Sequence, residues 1–208
     1  MTPERIVLAS ASPRRRSLLA AAGVRFRVEA AEVDEDLAGA TDPVETAREL
    51  ARRKALAVAG RRRGGPAAAT TWVVGADTVV ALPAAAGWRL LGKPRDAGEA
   101  REMLGLLSGS RHRVVTGVCV ARADGARELV DSESTWVSMR AIAPEEIAAY
   151  VAGGEWRDKA GAYAIQEGAD RFVTSLAEGG YDNVVGLPVA LTLSLLRQAG
   201  APPGLLGG

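Results

Sequence analysis

Three consecutive arginines, Arg14-Arg15-Arg16, follow Ser12-Pro13, a helix-start signal with serine as N-cap and proline at the first helical position. Free N–H groups at a helix start carry about half a positive charge, so cations there are locally unfavourable unless an anion is close. Phosphate resolves the conflict, because those N–H groups, the Ser10 and Ser12 hydroxyls and the guanidinium forks all donate to its oxygens. The alternative is that the arginines splay into water or meet carboxylates elsewhere. The segment is not a Walker loop, since the Gly-Lys-Ser/Thr signature is missing.

Asp77 interrupts the most apolar run of the chain, Trp72 to Leu82. An ionised carboxylate buried there costs on the order of several kcal/mol unless a metal, a cation or hydrogen bonds compensate it. The plainer reading is an aspartate at a strand end bonding turn amides. Thr78 falls on the opposite face by β alternation, where packing is the simpler role. Glu32, Asp34, Glu35 and Asp36 form an acidic cluster, and Lys54 and Lys93 fall on a helix face and in a tight turn. Carboxylate oxygens suit Mg²⁺ or Mn²⁺, which bind one or two carboxylates together with substrate phosphates, although such clusters are commonly just solvated surface. Glu155, Asp158, Lys159 and Gln166 lie in a loop dense in glycine and alanine, the kind of segment that carries ligand contacts. His112 could be a base, but a satisfied structural histidine is the better reading, as a turn is for Asp182.

The elements that must position these groups alternate between Val/Ile-rich runs and stretches of helical period, the pattern of a mixed α/β chain. Ile6 to Ser10 reads as a strand running into a helix from Ser12-Pro13 to Gly23. Thr41-Asp42-Pro43 opens a second helix, whose stripe of Val44, Ala47, Leu50, Ala51, Lys54, Ala55 and Val58 ends before Gly60. The basic stretch Arg61 to Pro66 follows as a solvated loop, and the Asp77 strand comes next. Asp96 with Glu99 three residues on starts a helix that Gly109 ends. The runs 113–122 and 128–139 form a long hairpin around Asp124-Gly125, and Pro144 starts another helix. A short strand at Phe172-Val173, a turn at 178–181 and a helix from Pro188 to Gln198 complete the pattern, with 201–208 expected to fray.

Composition narrows the function. Lys+Arg 26 against Asp+Glu 25 leaves a net charge of +1, so there is no general pull toward nucleic acid or an anionic membrane and any anion site is local. A single cysteine, Cys119, in an apolar run fits a buried residue in a reducing compartment. A lone histidine excludes His-rich metal clusters and weakens a Ser-His-Asp scheme. No run approaches the ~18 apolar residues of a membrane span, and the first residues read unlike a signal peptide, so a cytoplasmic protein is expected.

Taken in order, several segments resemble the Maf family of nucleotide pyrophosphatases: Leu8 to Arg15, Glu32 to Glu35, Gly75 to Val80, Gly92-Lys93-Pro94, Leu107-Ser108-Gly109, Asp158 to Tyr163 and Asn183 to Pro188. The resemblance spans nearly the whole chain. It implies a mixed α/β fold of two lobes around a central cleft, similar to the inosine triphosphate pyrophosphatases, forming one domain over 1–208 and commonly a homodimer. It also implies cleavage of a nucleoside triphosphate between its α and β phosphates, with a divalent cation. In that scheme Asp77 is the proton acceptor, Glu35 helps hold the metal or the water, and Ser10, Arg14, Arg15, Lys54 and Lys93 bind the phosphates. Arg14, Thr78 and Gln166 resemble the branch acting on dTTP and UTP. Glu155-Trp156 stands where the family usually has Glu-Pro, and Glu167 where a glycine is usual, both beside the base pocket, so an altered or broadened selectivity is a further expectation. The competing readings are a house-cleaning enzyme for modified nucleotides and a non-catalytic nucleotide-binding regulator of cell division.

Overall fold

Apolar runs become strands, and the Ser-Pro and Asp-Pro signals become helix starts, in the computed structural model, which describes residues 5–35, 39 and 41–207. Asp36, part of the acidic cluster, lies outside the described residues. Strand β1 (Ile6–Leu8) leads into α1 (Pro13–Ala21), whose Ser12 hydroxyl accepts from the Arg15 N–H at 3.4 Å. After β2 (Arg27–Val28), Asp42 caps α2 (Pro43–Arg62) by accepting from the Val44 and Glu45 N–H groups at 2.8 and 2.9 Å. Then come β3 (Trp72–Ala84), β4 (Gly87–Leu91), α3 (Ala97–Leu107), β5 (Arg111–Arg122), β6 (Glu128–Met139), α4 (Pro144–Gly153), β7 (Val173–Ala177), α5 (Tyr181–Val185) and α6 (Val189–Gln198).

The strands form one mixed sheet of seven in the order β2-β1-β3-β5-β6-β7, with β4 also paired to β3. β1 runs parallel to β2 and β3, and the remaining pairs are antiparallel. One topological detail creates the site. On the same edge of β3, β1 pairs only from Trp72 to Val74 and β4 only from Val80 to Ala84. Among the described residues, no strand covers that edge between Gly75 and Val79, so the sheet has a gap beyond the C-terminal end of β1. Crevices at such strand ends are where ligands enter open α/β sheets.

Apolar packing flanks the gap. One cluster gathers Leu8, Trp72, Val74 and Ala76 with Leu19 of α1 and Leu196 of α6, and another gathers Val80, Leu82 and Leu91 with α3 and α4. The other sheet face is covered by α2, whose Ala51, Ala55 and Val58 pack on Val7, Val73 and Cys119. Glycine makes that approach possible. A Cβ on Gly75 would lie 2.3 Å from the Ala51 carbonyl oxygen, and one on Gly117 only 2.2 Å from that of Ala47. Helix backbone therefore rests directly on strand backbone.

Several expectations need correction. α2 does not stop before Gly60. It continues to Arg62, because Arg62 reaches Glu29 at 2.6 Å and Arg61 donates to the Ala30 carbonyl at 3.1 Å, contacts that override a weak breaker. The strands β2 and β4 were not foreseen. Phe172 closes a short 3₁₀ turn before β7 begins at Val173, and the turn at 178–181 runs straight into α5. Residues 201–207 do not fray, since Ala201 and Leu206 are buried in the cluster around Leu196 and Leu205 accepts from the Arg25 N–H at 3.3 Å. The short capping motif at α3 is displaced by one residue: Asp96 accepts from the Glu99 N–H, but the Glu99 carboxylate turns to the Arg95 N–H.

Candidate active site

Asp77 sits in the gap of β3 with 6% of its surface exposed. Its β5 neighbour in the ladder is Gly117, so no side chain stands opposite it, and the close seat of α2 lowers Lys54 onto it. The Lys54 ammonium, itself only 5% exposed, pairs with Asp77 Oδ1 and with Glu35 Oε1, the latter at 2.6 Å. Lys93, in the turn after β4, pairs with Glu35 Oε2 at 2.5 Å. An acid, a lysine, a second acid and a second lysine thus alternate in one chain of ion pairs. Burial alone would push the Glu35 carboxyl up, but hydrogen bonds from Lys54 and Lys93 outweigh it and hold the group down at about 2.

Across the hollow lies the start of α1. Arg15 donates from Nε to the Gly186 carbonyl at 2.8 Å, from Nη2 to the Thr78 hydroxyl at 3.1 Å and from Nη1 to Ser10 Oγ at 3.4 Å. All three acceptors are neutral. Burial pushes the Arg15 guanidinium below its ordinary value, opposed by the charges of Asp77 and Glu35. Among the described residues no carboxylate pairs with it directly. Three of its five N–H groups are committed, which leaves one on each terminal nitrogen, the pair that a phosphate takes in bidentate fashion.

The hollow between these walls has a volume of about 630 Å³. Ser10, Arg14, Arg15, Glu35, Lys54, Asp77, Thr78, Lys93 and Gln166 all line it, so the structure brings together every residue that sequence reasoning put at the site. Arg16 is exposed and does not line it, and Glu32 and Asp34 are exposed on the surface. His112 is fully buried elsewhere, bonded through Nε2 to the Tyr163 hydroxyl at 2.9 Å, and Cys119 is buried among apolar neighbours. Asp182 serves as a local cap, accepting from the Val189 N–H at 2.7 Å.

Two cationic residues of the far wall were undervalued or missed. Lys159, noted only as part of a loop, is 9% exposed and faces Glu167 at 3.3 Å. Arg157, not anticipated at all, stacks over Trp156 at 4.9 Å while lining the hollow. The loop is tied to the Lys93 turn by the Gly161 N–H donating to the Gly92 carbonyl at 3.0 Å. Asp158 holds a φ of 59°, the left-handed region unusual for a residue with a side chain. Gln166 at the rim donates to Glu167 at 3.2 Å.

A gap in a mixed α/β sheet, lined among the described residues by six cationic and four acidic side chains with Asp77 and Glu35 ion-paired at its floor, defines an anion-binding α/β protein with a carboxylate at the centre of the site. The family model described as Maf-like protein matches residues 5–199, and the chain belongs to the Maf family. The dTTP/UTP pyrophosphatase of Thermomicrobium roseum is 52% identical over 198 residues, covering 95% of this chain and 85% of that protein. The dTTP/UTP pyrophosphatase of Myxococcus xanthus is 48% identical over 197 residues, 95% of this chain and 93% of the relative. That of Geobacter sulfurreducens is 46% identical over 201 residues, 97% of this chain and all of the relative (100%). A solved nucleoside-triphosphatase / dITP/XTP pyrophosphatase from Mycobacterium abscessus overlaps 66% of this chain and 75% of its own at 16% identity and a TM-score of 0.41, too slight a likeness to carry an argument.

Proposed function

We propose that this chain is a nucleoside triphosphate pyrophosphatase that cuts dTTP and UTP between the α and β phosphates, releasing the nucleoside monophosphate and pyrophosphate. The observation that carries the reading is the opposition, across one hollow, of a buried Asp77 and a guanidinium whose two remaining N–H groups meet no acceptor among the described residues. Relatives named for this activity, at about half identity over nearly the full chain, supply the choice of nucleotide.

Each residue has a task in this scheme. Asp77 Oδ1 is occupied by Lys54, and among the described residues no hydrogen bond reaches Oδ2, which is left to hold and deprotonate the attacking water. Arg15, Arg14, Ser10 and the start of α1 receive phosphate oxygens, where positioning and fixed positive charge provide most of the stabilisation in phosphoryl transfer. Lys93, with nearly half its side chain exposed, is free to exchange part of its hold on Glu35 for an arriving phosphate. Thr78, bonded to Arg15, and Gln166, at the rim, line the same hollow.

The donor set also fits a divalent cation. Asp77 Oδ2 and, once Lys93 exchanges its hold on Glu35 for a phosphate, Glu35 Oε2 would offer hard oxygen atoms, and among the described residues no group of three or more acidic, histidine or cysteine side chains forms a protein-only cage. That suits Mg²⁺ or Mn²⁺, whose remaining ligands are substrate phosphates and water. When bound, such an ion neutralises phosphate charge and lowers the pKa of its water. Among the described residues no helix is long and apolar enough to cross a membrane.

The test is product analysis with dTTP, UTP, CTP, GTP and ATP in the presence of Mg²⁺ or Mn²⁺. The reading predicts pyrophosphate and monophosphate, fastest from dTTP and UTP. Diphosphate and orthophosphate would reject it, and equal turnover of all five would favour a house-cleaning role.

A further inference from the structure

A line of buried polar groups leads away from the site on the side opposite Lys54. Thr78 on β3 stands directly beside Thr116 on β5, with their hydroxyl oxygens 2.9 Å apart. Thr116, fully buried, also bonds the Asn183 carbonyl at 2.9 Å. A carbonyl oxygen only accepts, so the single hydroxyl hydrogen of Thr116 is directed to Asn183. The proton between the two threonines must then come from Thr78. Because Arg15 only donates, Thr78 accepts from Arg15 Nη2. Every hydrogen in the line is assigned: Arg15 to Thr78, Thr78 to Thr116, Thr116 to the Asn183 carbonyl.

The far end of this relay is anchored. Asn183 is fully buried, and its Nδ2 donates to Thr135 Oγ1 at 2.8 Å and to the Val114 carbonyl at 3.2 Å. Thr135 in turn donates to the Gly180 carbonyl at 3.2 Å, just before α5. The same segment carries Gly186, whose carbonyl accepts from Arg15 Nε. Arg15 is therefore held at two points by one short stretch, 183–186: directly through Gly186, and indirectly through the two threonines.

We infer that Thr116 is a positioning residue which, through Thr78, fixes the plane of the Arg15 guanidinium so that its two free N–H groups face the polyphosphate. This rests on the pyrophosphatase reading and deepens it. A second consequence follows from the assigned hydrogens. Thr78 spends its only proton on Thr116, so toward the cleft it presents an acceptor and never a donor. It steadies Arg15 and does not itself bind a phosphate oxygen.

The experiment compares Thr116→Val, Thr116→Ser, Thr78→Val and the double variant Thr78→Val/Thr116→Val. The readouts are KM and kcat for dTTP, calorimetric binding of inorganic tripolyphosphate, and Tm. Thr116→Val is expected to raise KM and weaken tripolyphosphate binding by about fivefold to tenfold, the worth of one neutral hydrogen bond, while kcat changes less than about twofold. Thr116→Ser is expected to restore both, and the double variant to bind no worse than Thr78→Val alone. Wild-type tripolyphosphate binding in Thr116→Val would overturn the proposal. So would fully additive losses in the double variant, or a lowered Tm with no rescue of binding by serine, since these are the marks of a packing defect. If the wild type released no pyrophosphate from any nucleotide, the activity reading would fall, and the relay would still be judged by tripolyphosphate binding.

Discussion

Asp77 and His112 lie on neighbouring strands, both out of solvent, yet the molecule treats them in opposite ways. His112 has only neutral partners, the Tyr163 hydroxyl at Nε2 and the Ser110 hydroxyl at Nδ1, and burial alone pushes its imidazole down to about 4, so it stays uncharged at neutral pH. Its neighbours Val137 and Tyr163 belong to the apolar cluster that α3 and α4 cover, and its own side chain does not line the hollow. Asp77 has an ammonium delivered to it by a helix seated on glycine, and an open cavity on its other side. Burial by itself therefore marks no active site. A buried titratable group becomes chemically useful when the fold supplies both a counter-charge and access, and here access comes from the unpaired stretch of β3.

That contrast can be broken in three places. Asp77→Asn removes the proton acceptor while keeping size and most hydrogen bonds, and turnover should fall by about a thousandfold with nucleotide binding largely retained. Steady-state kinetics beside calorimetry would check it. Gly117→Ala attacks the delivery of the counter-charge, since its Cβ would press on the Ala47 backbone and lift α2 with Lys54. A loss of about 1–3 kcal/mol in stability and about tenfold in turnover is expected, read by denaturant titration and kinetics. His112→Gln should leave turnover within about twofold, because the histidine does not line the hollow and reaches it only through Tyr163. Its effect belongs to acid stability. The native imidazole at about 4 refuses the proton that the unfolded chain takes up near 6.5, so wild-type stability falls as pH drops through that window and levels below it. The Tm of the variant should be flatter between pH 6.5 and 4.

Much of this was legible in the residues. Asp77 stood out because an acid amid Val and Ala needs a reason, and Ser12-Pro13 before three arginines because cations at a helix start need an anion. The Asp124-Gly125 hairpin is plain, and β5 and β6 pair antiparallel on either side of it. Thr78 shows where pattern reading stops. Alternation puts it on the face away from Asp77, and it is indeed on that face, but alternation separates neighbours only when the strand is flanked on both edges. With the edge of β3 bare, Asp77 and Thr78 both look into the same hollow. The pairing that bares it depends on β4, which the sequence hides behind a proline and small residues at 83–87. Lys54 was visible as a charge within an apolar stripe, but its landing on Asp77 depends on Gly75 and Gly117, distant in sequence and silent in composition. Arg157 had no signal beyond its loop, and the third arginine, Arg16, shared the motif without sharing the site.

The central claim is that the bared edge of β3 is where a triphosphate lies, phosphates against Arg15 and Lys93 and the α–β link beside Asp77. A crystal structure of the protein with the α,β-imido analogue of dUTP, which resists cleavage at that link, tests it most directly. The expected result is a phosphorus of the α–β link within one water of Asp77 Oδ2, that water lying in line with the bond to the bridging nitrogen, and a phosphate bidentate on Arg15. An analogue whose phosphates sit away from both residues would contradict it.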